Sequence, residues 1–335
     1  MKKIYQSFFI IVMLLVAYSC TDEKAYTIAG TVEDESLKFV YLTQMNDDWK
    51  GETTVLDSAA IERGKFEFKG KADSASLRFI RFSNSSIQPL AIIVEPGEIA
   101  LSVGTNSAAL AGTHNNDKLQ EFFAKKGTMD SGSDKFAEYA VSFMTSGIPQ
   151  ELATYVYWSS GKPIREVDMV EKIFPILTEE FLRADAGKRP LNILSTKVGK
   201  PFVDLKAETP EGNEIALSSY VGGENKYTLV DFWESWCPPC RAELPELAAI
   251  YKEYKDKGFE ILGVSLDHKQ EDWVRAIDNY KMVWPQMSRI SNPTIGQEYV
   301  VDFIPHTVLI DAEGKIVKRG ISSNELRKEL EVLLP

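Results

Sequence analysis

Two cysteines three positions apart, Cys237 and Cys240, enclose Pro238 and Pro239 at the seam between two secondary-structure signals. Upstream, Tyr227-Thr228-Leu229-Val230-Asp231-Phe232-Trp233 is rich in β-formers and reads as a strand. Downstream, Leu244, Leu247, Tyr251 and Tyr254 share one face of a helix predicted over 242–254. The chain must therefore run a strand straight into a helix and set a dithiol at the junction. A helix N-terminus offers unpaired N–H groups and the positive end of a dipole, and both favour a thiolate. At such a junction the first cysteine is expected to be the more exposed and to attack a foreign disulfide. The second, a turn deeper, is expected to resolve the mixed disulfide. The two prolines stiffen the loop and remove two N–H groups, so the remaining donors matter more.

Other readings of the pair fare worse. Half a zinc site needs partners, yet the only other cysteine is Cys20, and His114, His268 and His306 lack ligand spacing. A structural disulfide across four residues is geometrically tight. Placement between strand and helix favours redox chemistry. The pattern from Gly199 onward supports this, because strands and helices alternate: a buried-type strand over 259–266, a helix over 271–280, and a strand over 306–310. A turn at Ala312-Glu313-Gly314, a return strand over 315–318 and a closing helix over 324–333 complete an α/β sheet.

The segment from Val230 to Arg241, with Trp233-Glu234-Ser235-Trp236-Cys237-Pro238-Pro239-Cys240 at its centre, resembles the active-site segment of the thioredoxin superfamily. Ile304-Pro305-His306-Thr307-Val308 resembles its cis-proline loop. Val198-Gly199-Lys200-Pro201-Phe202 and Asp311-Ala312-Glu313-Gly314-Lys315 narrow the resemblance to TlpA/ResA-like thiol–disulfide oxidoreductases, over 195–335. It implies a thioredoxin-like α/β domain, Cys237 as nucleophile and Cys240 as resolving thiol. It also implies Asp231 as a buried proton relay, where many envelope relatives carry Asn, and Glu243 as an acidic residue beneath the cysteines. The alternative for Glu243 is a solvated carboxylate on the helix face. Trp236, Pro238, Ile304 and Pro305 would form the partner-binding surface, with Pro305 the cis-proline, and Trp233 and Trp236 would shield the sulfurs. His306, where Thr is frequent, is either a tuning cation or an inert strand residue, with the balance toward inert. No cofactor and no metal are implied.

Ahead of this domain, residues 26–115 alternate as short strands, with turns at Arg63-Gly64 and Pro96-Gly97. They predict an antiparallel all-β domain, sandwich-like. The string from Asp57 to Gly70 resembles the N-terminal β domain found ahead of thioredoxin-like domains in Bacteroidota lipoproteins. Residues 116–194 read as a helical connecting region, with Leu119, Phe122 and Phe123, then Val167, Val170, Ile173 and Phe174, at helical spacing. Tyr155, Tyr157 and Trp158 are either core or the lining of a groove, and core is the commoner fate of such residues. His114 reads as a solvated turn residue.

Lys2 and Lys3 precede an apolar run over 8–17, too short to span a bilayer comfortably, and Ser19-Cys20 follows. Residues 1–19 are expected to be a lipoprotein signal peptide, because Val16-Ala17-Tyr18-Ser19-Cys20 resembles a lipobox with Tyr18 at an unusual place. Cys20 would carry the lipid, and 20–25 would be a tether to the membrane. The mature chain would then face the oxidising periplasmic side of a bacterial envelope. Its expected partners are disulfide- or dithiol-containing envelope proteins and an upstream membrane electron donor. With 38 Lys plus Arg against 49 Asp plus Glu, the net charge of −11 argues against a nucleic-acid partner. The expected function is disulfide exchange with partner proteins through the CPPC dithiol, in the reducing direction. Alternatives are a thiol peroxidase, which Glu234 in place of a Thr three residues before Cys237 disfavours, and a copper-binding assembly factor using both thiols and His306. A third is a binding module in which the fold is only a scaffold, which the intact dithiol disfavours.

Overall fold

The computed structural model describes residues 23–46, 49–83, 87–105, 107–160 and 163–335. The leader and Cys20 lie outside these residues. The chain divides into two units, one of residues up to 45 with 52–128, the other of 46–51 with 129–335.

In the first unit, β1 (Ala25–Val32), β2 (Phe39–Met45), β3 (Thr53–Ala60), β4 (Lys65–Lys71), β5 (Ser76–Phe82), β6 (Leu90–Val94), β7 (Gly97–Val103) and β8 (Ala108–Ala111) form two four-stranded sheets. Their orders are β4-β1-β7-β8 and β3-β2-β5-β6. Alternation explains the core: along β4, Phe66 and Phe68 are buried while Lys65, Glu67 and Lys69 face solvent. Gly30 lies opposite Phe66, and the ring occupies the space a Cβ would need. One pairing departs from the antiparallel expectation. Strands β1 and β7 run parallel, Ile28 opposite Ile99, because the chain passes through the other sheet before it returns.

Helix α1 (His114–Lys126) belongs to this unit rather than to the helices that follow. Its buried Asn116 accepts from the Ile93 backbone N–H and donates to the Ile93 carbonyl and to Thr113 Oγ1. His114 opens the helix, exposed, instead of lying in a turn.

The second unit begins with α2 (Asp134–Met144), α3 (Gln150–Ser160), α4 (Val167–Ile173), α5 (Glu179–Arg183) and α6 (Lys188–Ser195). Tyr155 and Tyr157 of α3 are buried as core, and Trp158 donates its indole N–H to the Trp49 carbonyl. Then come β9 (Lys206–Glu208), β10 (Glu214–Ala216), β11 (Tyr227–Trp233), α7 (Pro238–Tyr254), β12 (Phe259–Ser265), α8 (Gln270–Tyr280), β13 (Gln286–Ser288), α9 (Ile295–Glu298), β14 (His306–Asp311), β15 (Ile316–Arg319) and α10 (Ser323–Leu333). The main sheet has the order β13-β12-β11-β14-β15, with β11, β12 and β13 mutually parallel and β14 and β15 antiparallel. Strand β11 is central and covered on both faces. Leu229 and Trp233 join one apolar cluster with both cysteines; Val230 and Phe232 join another on the opposite face. By the two-residue period of a strand, Asp231 faces the cysteine side. No helix among the described residues is long and apolar enough to cross a membrane.

Candidate active site around the Cys237–Cys240 disulfide

Cys237 is the N-cap of α7, with extended backbone at φ −74° and ψ 107°. Pro238 and Pro239 fill the first two helical positions, where a missing N–H costs nothing because those donors are orphans anyway. The first donor left is the Cys240 N–H, which points at Cys237 Sγ from 3.1 Å. The prolines thus concentrate the helix terminus on one sulfur. The two sulfurs are bonded, with the Cα atoms 5.3 Å apart.

The expectation that Cys237 is the more exposed cysteine is corrected. Cys237 is 2% and Cys240 3% exposed. The disulfide draws the first sulfur against the second, inside the cluster of Trp233, Leu244 and Leu247. Trp233 is buried and donates its indole N–H to Gln286 Oε1, whereas Trp236 is 66% exposed beside the likewise exposed Pro238.

Asp231 is buried six residues before Cys237. Burial, reinforced by the charge of Glu243, pushes its carboxyl from 3.8 up to about 7. Glu243 is half-buried, and its Oε2 accepts the Ser323 backbone N–H at 2.9 Å. It is therefore neither a free surface carboxylate nor simply a tuning charge, because it ties α7 to the first turn of α10. The Ile304–Pro305 peptide is cis, and Ile304 packs against the cluster that holds the two cysteines.

His306 is buried, and its Nε2 lies 3.1 Å from Arg319 Nη2. Burial, followed by the Arg319 charge, lowers its pKa to about 4, so it carries no charge near neutrality and is no tuning cation. Among the described residues no group of three His, Cys, Asp or Glu side chains is gathered to hold a metal ion.

Sequence reasoning missed Asp267. This buried carboxylate accepts from the Ser235 backbone N–H at 3.0 Å, from Ser235 Oγ at 2.7 Å and from Ser265 Oγ at 2.9 Å. It pins the loop that leads into Cys237. Beside it, burial and the Asp267 charge raise the pKa of Glu234. The available signal was an acid directly after a buried strand, at the carboxyl end of a sheet, where sites of α/β folds collect.

A dithiol capping a helix, fed by the central strand of a mixed sheet and faced by a cis-proline loop, defines the thioredoxin superfamily. Residues 198–319 match the AhpC/TSA family, and residues 26–119 match a domain of unknown function, DUF4369. The chain is 30% identical over 142 residues to the thiol-disulfide oxidoreductase ResA of Halalkalibacterium halodurans, covering 42% of this chain and 78% of that protein. It is 30% identical over 135 residues to the same-named protein of Bacillus cereus, covering 40% and 75%. Similar solved structures include the thioredoxin domain of a thiol-disulfide oxidoreductase from Bacteroides vulgatus, at 34% identity and TM-score 0.39. That match covers 42% of this chain and all of that one. The chain belongs to the ResA family of thiol–disulfide oxidoreductases.

Proposed function

We propose that this chain is a lipid-anchored envelope protein that reduces disulfides in partner proteins through Cys237 and Cys240. The observation that carries the reading is the disulfide at the N-terminus of α7 with Asp231 buried behind it. In the reduced protein, the Cys237 thiolate attacks one sulfur of the partner's disulfide, and the other sulfur leaves as a thiolate that takes up a proton. Cys240 gives its proton to Asp231 and attacks Cys237 Sγ. The partner's second thiol is released, Cys237 and Cys240 become the disulfide seen here, and the partner has gained two electrons. A dithiol donor upstream returns the pair to the reduced state. Trp236, Pro238, Ile304 and Pro305 form the surface that meets the partner. Cys20, with its acyl chains, holds the chain to the membrane.

The roles of the cysteines are tested by trapping. Cys240→Ala is expected to accumulate mixed disulfides with envelope proteins, and Cys237→Ala to trap none. Equal trapping by both reverses or removes the assignment. The direction is tested by equilibrating the pair with glutathione: a potential near thioredoxin's, about −270 mV, supports a reductase, and one near DsbA's, about −120 mV, contradicts it.

A further inference from the structure

Asp267 stands two residues past the end of β12 and is 3% exposed. A buried carboxylate is costly unless its charge is compensated by hydrogen bonds or a cation. Here two serines supply the bonds. Ser265 Oγ donates to Asp267 Oδ2 at 2.9 Å and accepts the Asp267 backbone N–H at 3.1 Å, so the carboxylate is itself locked to the end of β12. Its other bonds all fall on Ser235. The Ser235 hydroxyl donates to Oδ1 at 2.7 Å, and the Ser235 N–H lies 3.0 Å from Oδ2 and 3.2 Å from Oδ1. Hydrogen bonds to an ionised acceptor are roughly twice as strong as neutral ones, so this is a firm hold on one residue.

Ser235 is the first corner of a turn, and Trp236 is the second. The turn is closed by the Cys237 N–H, which donates to the Glu234 carbonyl at 3.1 Å. Cys237 thus ends the turn and caps α7 at once. The setting of the turn therefore decides where Cys237 Sγ stands against the helix terminus. That terminus has little to offer: Pro238 and Pro239 carry no N–H, and the Arg241 N–H is committed to the Cys237 carbonyl at 3.1 Å. The Cys240 N–H, 3.1 Å from Cys237 Sγ, is the donor that remains in the first turn. A hydrogen bond weakens steeply when its angle opens, so a tilt of the turn costs the sulfur this donor. In the oxidised protein the disulfide also holds the sulfur in place. Reduction removes that tie, and the turn takes over.

We propose that Asp267 is a positioning residue of the exchange reaction: through Ser235 it fixes the Glu234–Cys237 turn in the reduced protein, so that the Cys237 thiolate stays on the Cys240 N–H and the N-terminus of α7. The proposal rests on the exchange reading above and adds to it what keeps the nucleophile ready. The bonds of Asp267 go to Ser235 and Ser265 and not to a cysteine, so its action on Cys237 passes through Ser235.

Charge and position pull in opposite directions, which makes the role measurable. The charge of Asp267 by itself disfavours a thiolate nearby, whereas the turn it holds favours one. The other charged or titratable groups around the turn are Glu234, His268 and Arg289 beside Asp267, and Asp231, Arg241 and Glu243 on the strand and helix that the turn joins. All of these stay in place in the variants below.

The test reads the pH at which Cys237 becomes reactive. The full-length chain carries Cys240→Ala, which keeps the backbone N–H at 240 and leaves Cys237 without its disulfide partner. The Cys237 thiolate displaces iodide from iodoacetamide and forms a thioether, which is followed at Cys237 by peptide mass spectrometry across pH. Against this background Asp267→Ala is expected to raise the midpoint by about one pH unit, the weight of a hydrogen bond to a charged acceptor. Ser235→Ala should raise it by less, because the backbone N–H still reaches Asp267. Ser235→Thr keeps the hydroxyl and should leave the midpoint where it was. Asp267→Asn keeps an oxygen for the Ser235 N–H and should rise less than Asp267→Ala. A midpoint that falls in Asp267→Ala means that Asp267 acts by charge, and it overturns the proposal. A midpoint that stays or falls in Ser235→Ala overturns it as well, whether or not Asp267→Ala folds, because that substitution changes no charge. Alongside, the reduced wild-type dithiol is mixed with insulin, one dithiol for each disulfide. Two electrons pass to insulin as the Cys237–Cys240 disulfide forms. A wild type that leaves insulin oxidised overturns the exchange reading. One that reduces insulin, with an unmoved midpoint in Ser235→Ala, overturns the role of Asp267 alone.

Discussion

Asp231 is held in a state that its own solvation opposes. In the fold its carboxyl titrates at about 7 instead of 3.8, through burial first and the Glu243 charge second. Below about pH 4 the group is protonated in both the folded and the unfolded chain, and its contribution to stability is neutral. As the pH rises toward 7, the unfolded chain ionises while the folded chain does not, so stability falls. Above the folded value the loss is complete, about 4 kcal/mol for a displacement of this size. Asp231→Asn removes that loss. It should raise the melting temperature near pH 8 and leave it almost unchanged near pH 4. The same substitution removes the proposed proton acceptor for Cys240. Resolution of the mixed disulfide should therefore slow roughly tenfold near neutrality and less in alkali, where the thiol ionises unaided. Thermal melts at the two pH values and stopped-flow exchange across pH read both effects. A stability gain that is equal at both pH values, or a pH-independent rate defect, would make Asp231 a packing residue. This residue was legible through the resemblance carried by the strand-to-helix segment around Cys237. Asp267 was not: its partners Ser235, in the loop after β11, and Ser265, at the end of β12, are brought together only through the parallel pairing of β11 with β12. Nor was the burial of Cys237, which depends on the bond to Cys240 rather than on the local pattern.

Helix α7 shows why elements were read better than their ends. The apolar stripe from Leu244 predicts a start at 242, yet the helix begins at Pro238, because proline at the first position and a capping cysteine need no apolar side chain. The three-residue strands β9, β10 and β13 carry too few residues for any period to show. Contacts between helices are equally silent in the sequence, and Glu243 is the example. Eighty residues separate it from Ser323, whose N–H belongs to the first turn of α10, where Ser322 and Glu325 already form a capping box. Glutamine at 243 keeps an oxygen for that N–H and removes the charge. Glu243→Gln should therefore leave the α7–α10 junction intact, with a change in stability within about 0.5 kcal/mol near pH 4. It should also lower the pH at which Asp231 titrates, because one of the two causes of its displacement is gone. The measurement is the pH dependence of the melting temperature in wild type and variant, with Glu243→Ala as contrast, since alanine loses both charge and acceptor. If Glu243→Gln and Glu243→Ala behave alike at every pH, the tie to Ser323 carries no weight.

On the scale of the whole chain, the α/β organisation was readable from alternating strands and helices, and the β unit from its short alternating strands. The parallel β1–β7 pair was not, because register between distant strands leaves no local trace. The proposed attachment of the chain to a membrane rests on sequence alone, and charge sharpens its test. A chain of net charge −11 is repelled by the anionic lipids of a bacterial membrane, so no electrostatic contribution would supplement the proposed acyl chains. Two chains on one cysteine anchor stably where one binds only marginally. The proposed tether would be short: β1 begins at Ala25, and the four residues 21–24 would reach at most about 14 Å if extended. Cys20→Ala should therefore abolish membrane association outright. The variant is expected in the soluble fraction after cell lysis and in the aqueous phase of a detergent partition, at low salt as well as high, while wild type enters the detergent phase. A Cys20→Ala protein that stays with membranes in low salt and leaves in high salt would reveal a basic contact in place of the lipid. One that stays under both conditions would show that the apolar run over 8–17 is retained as the anchor.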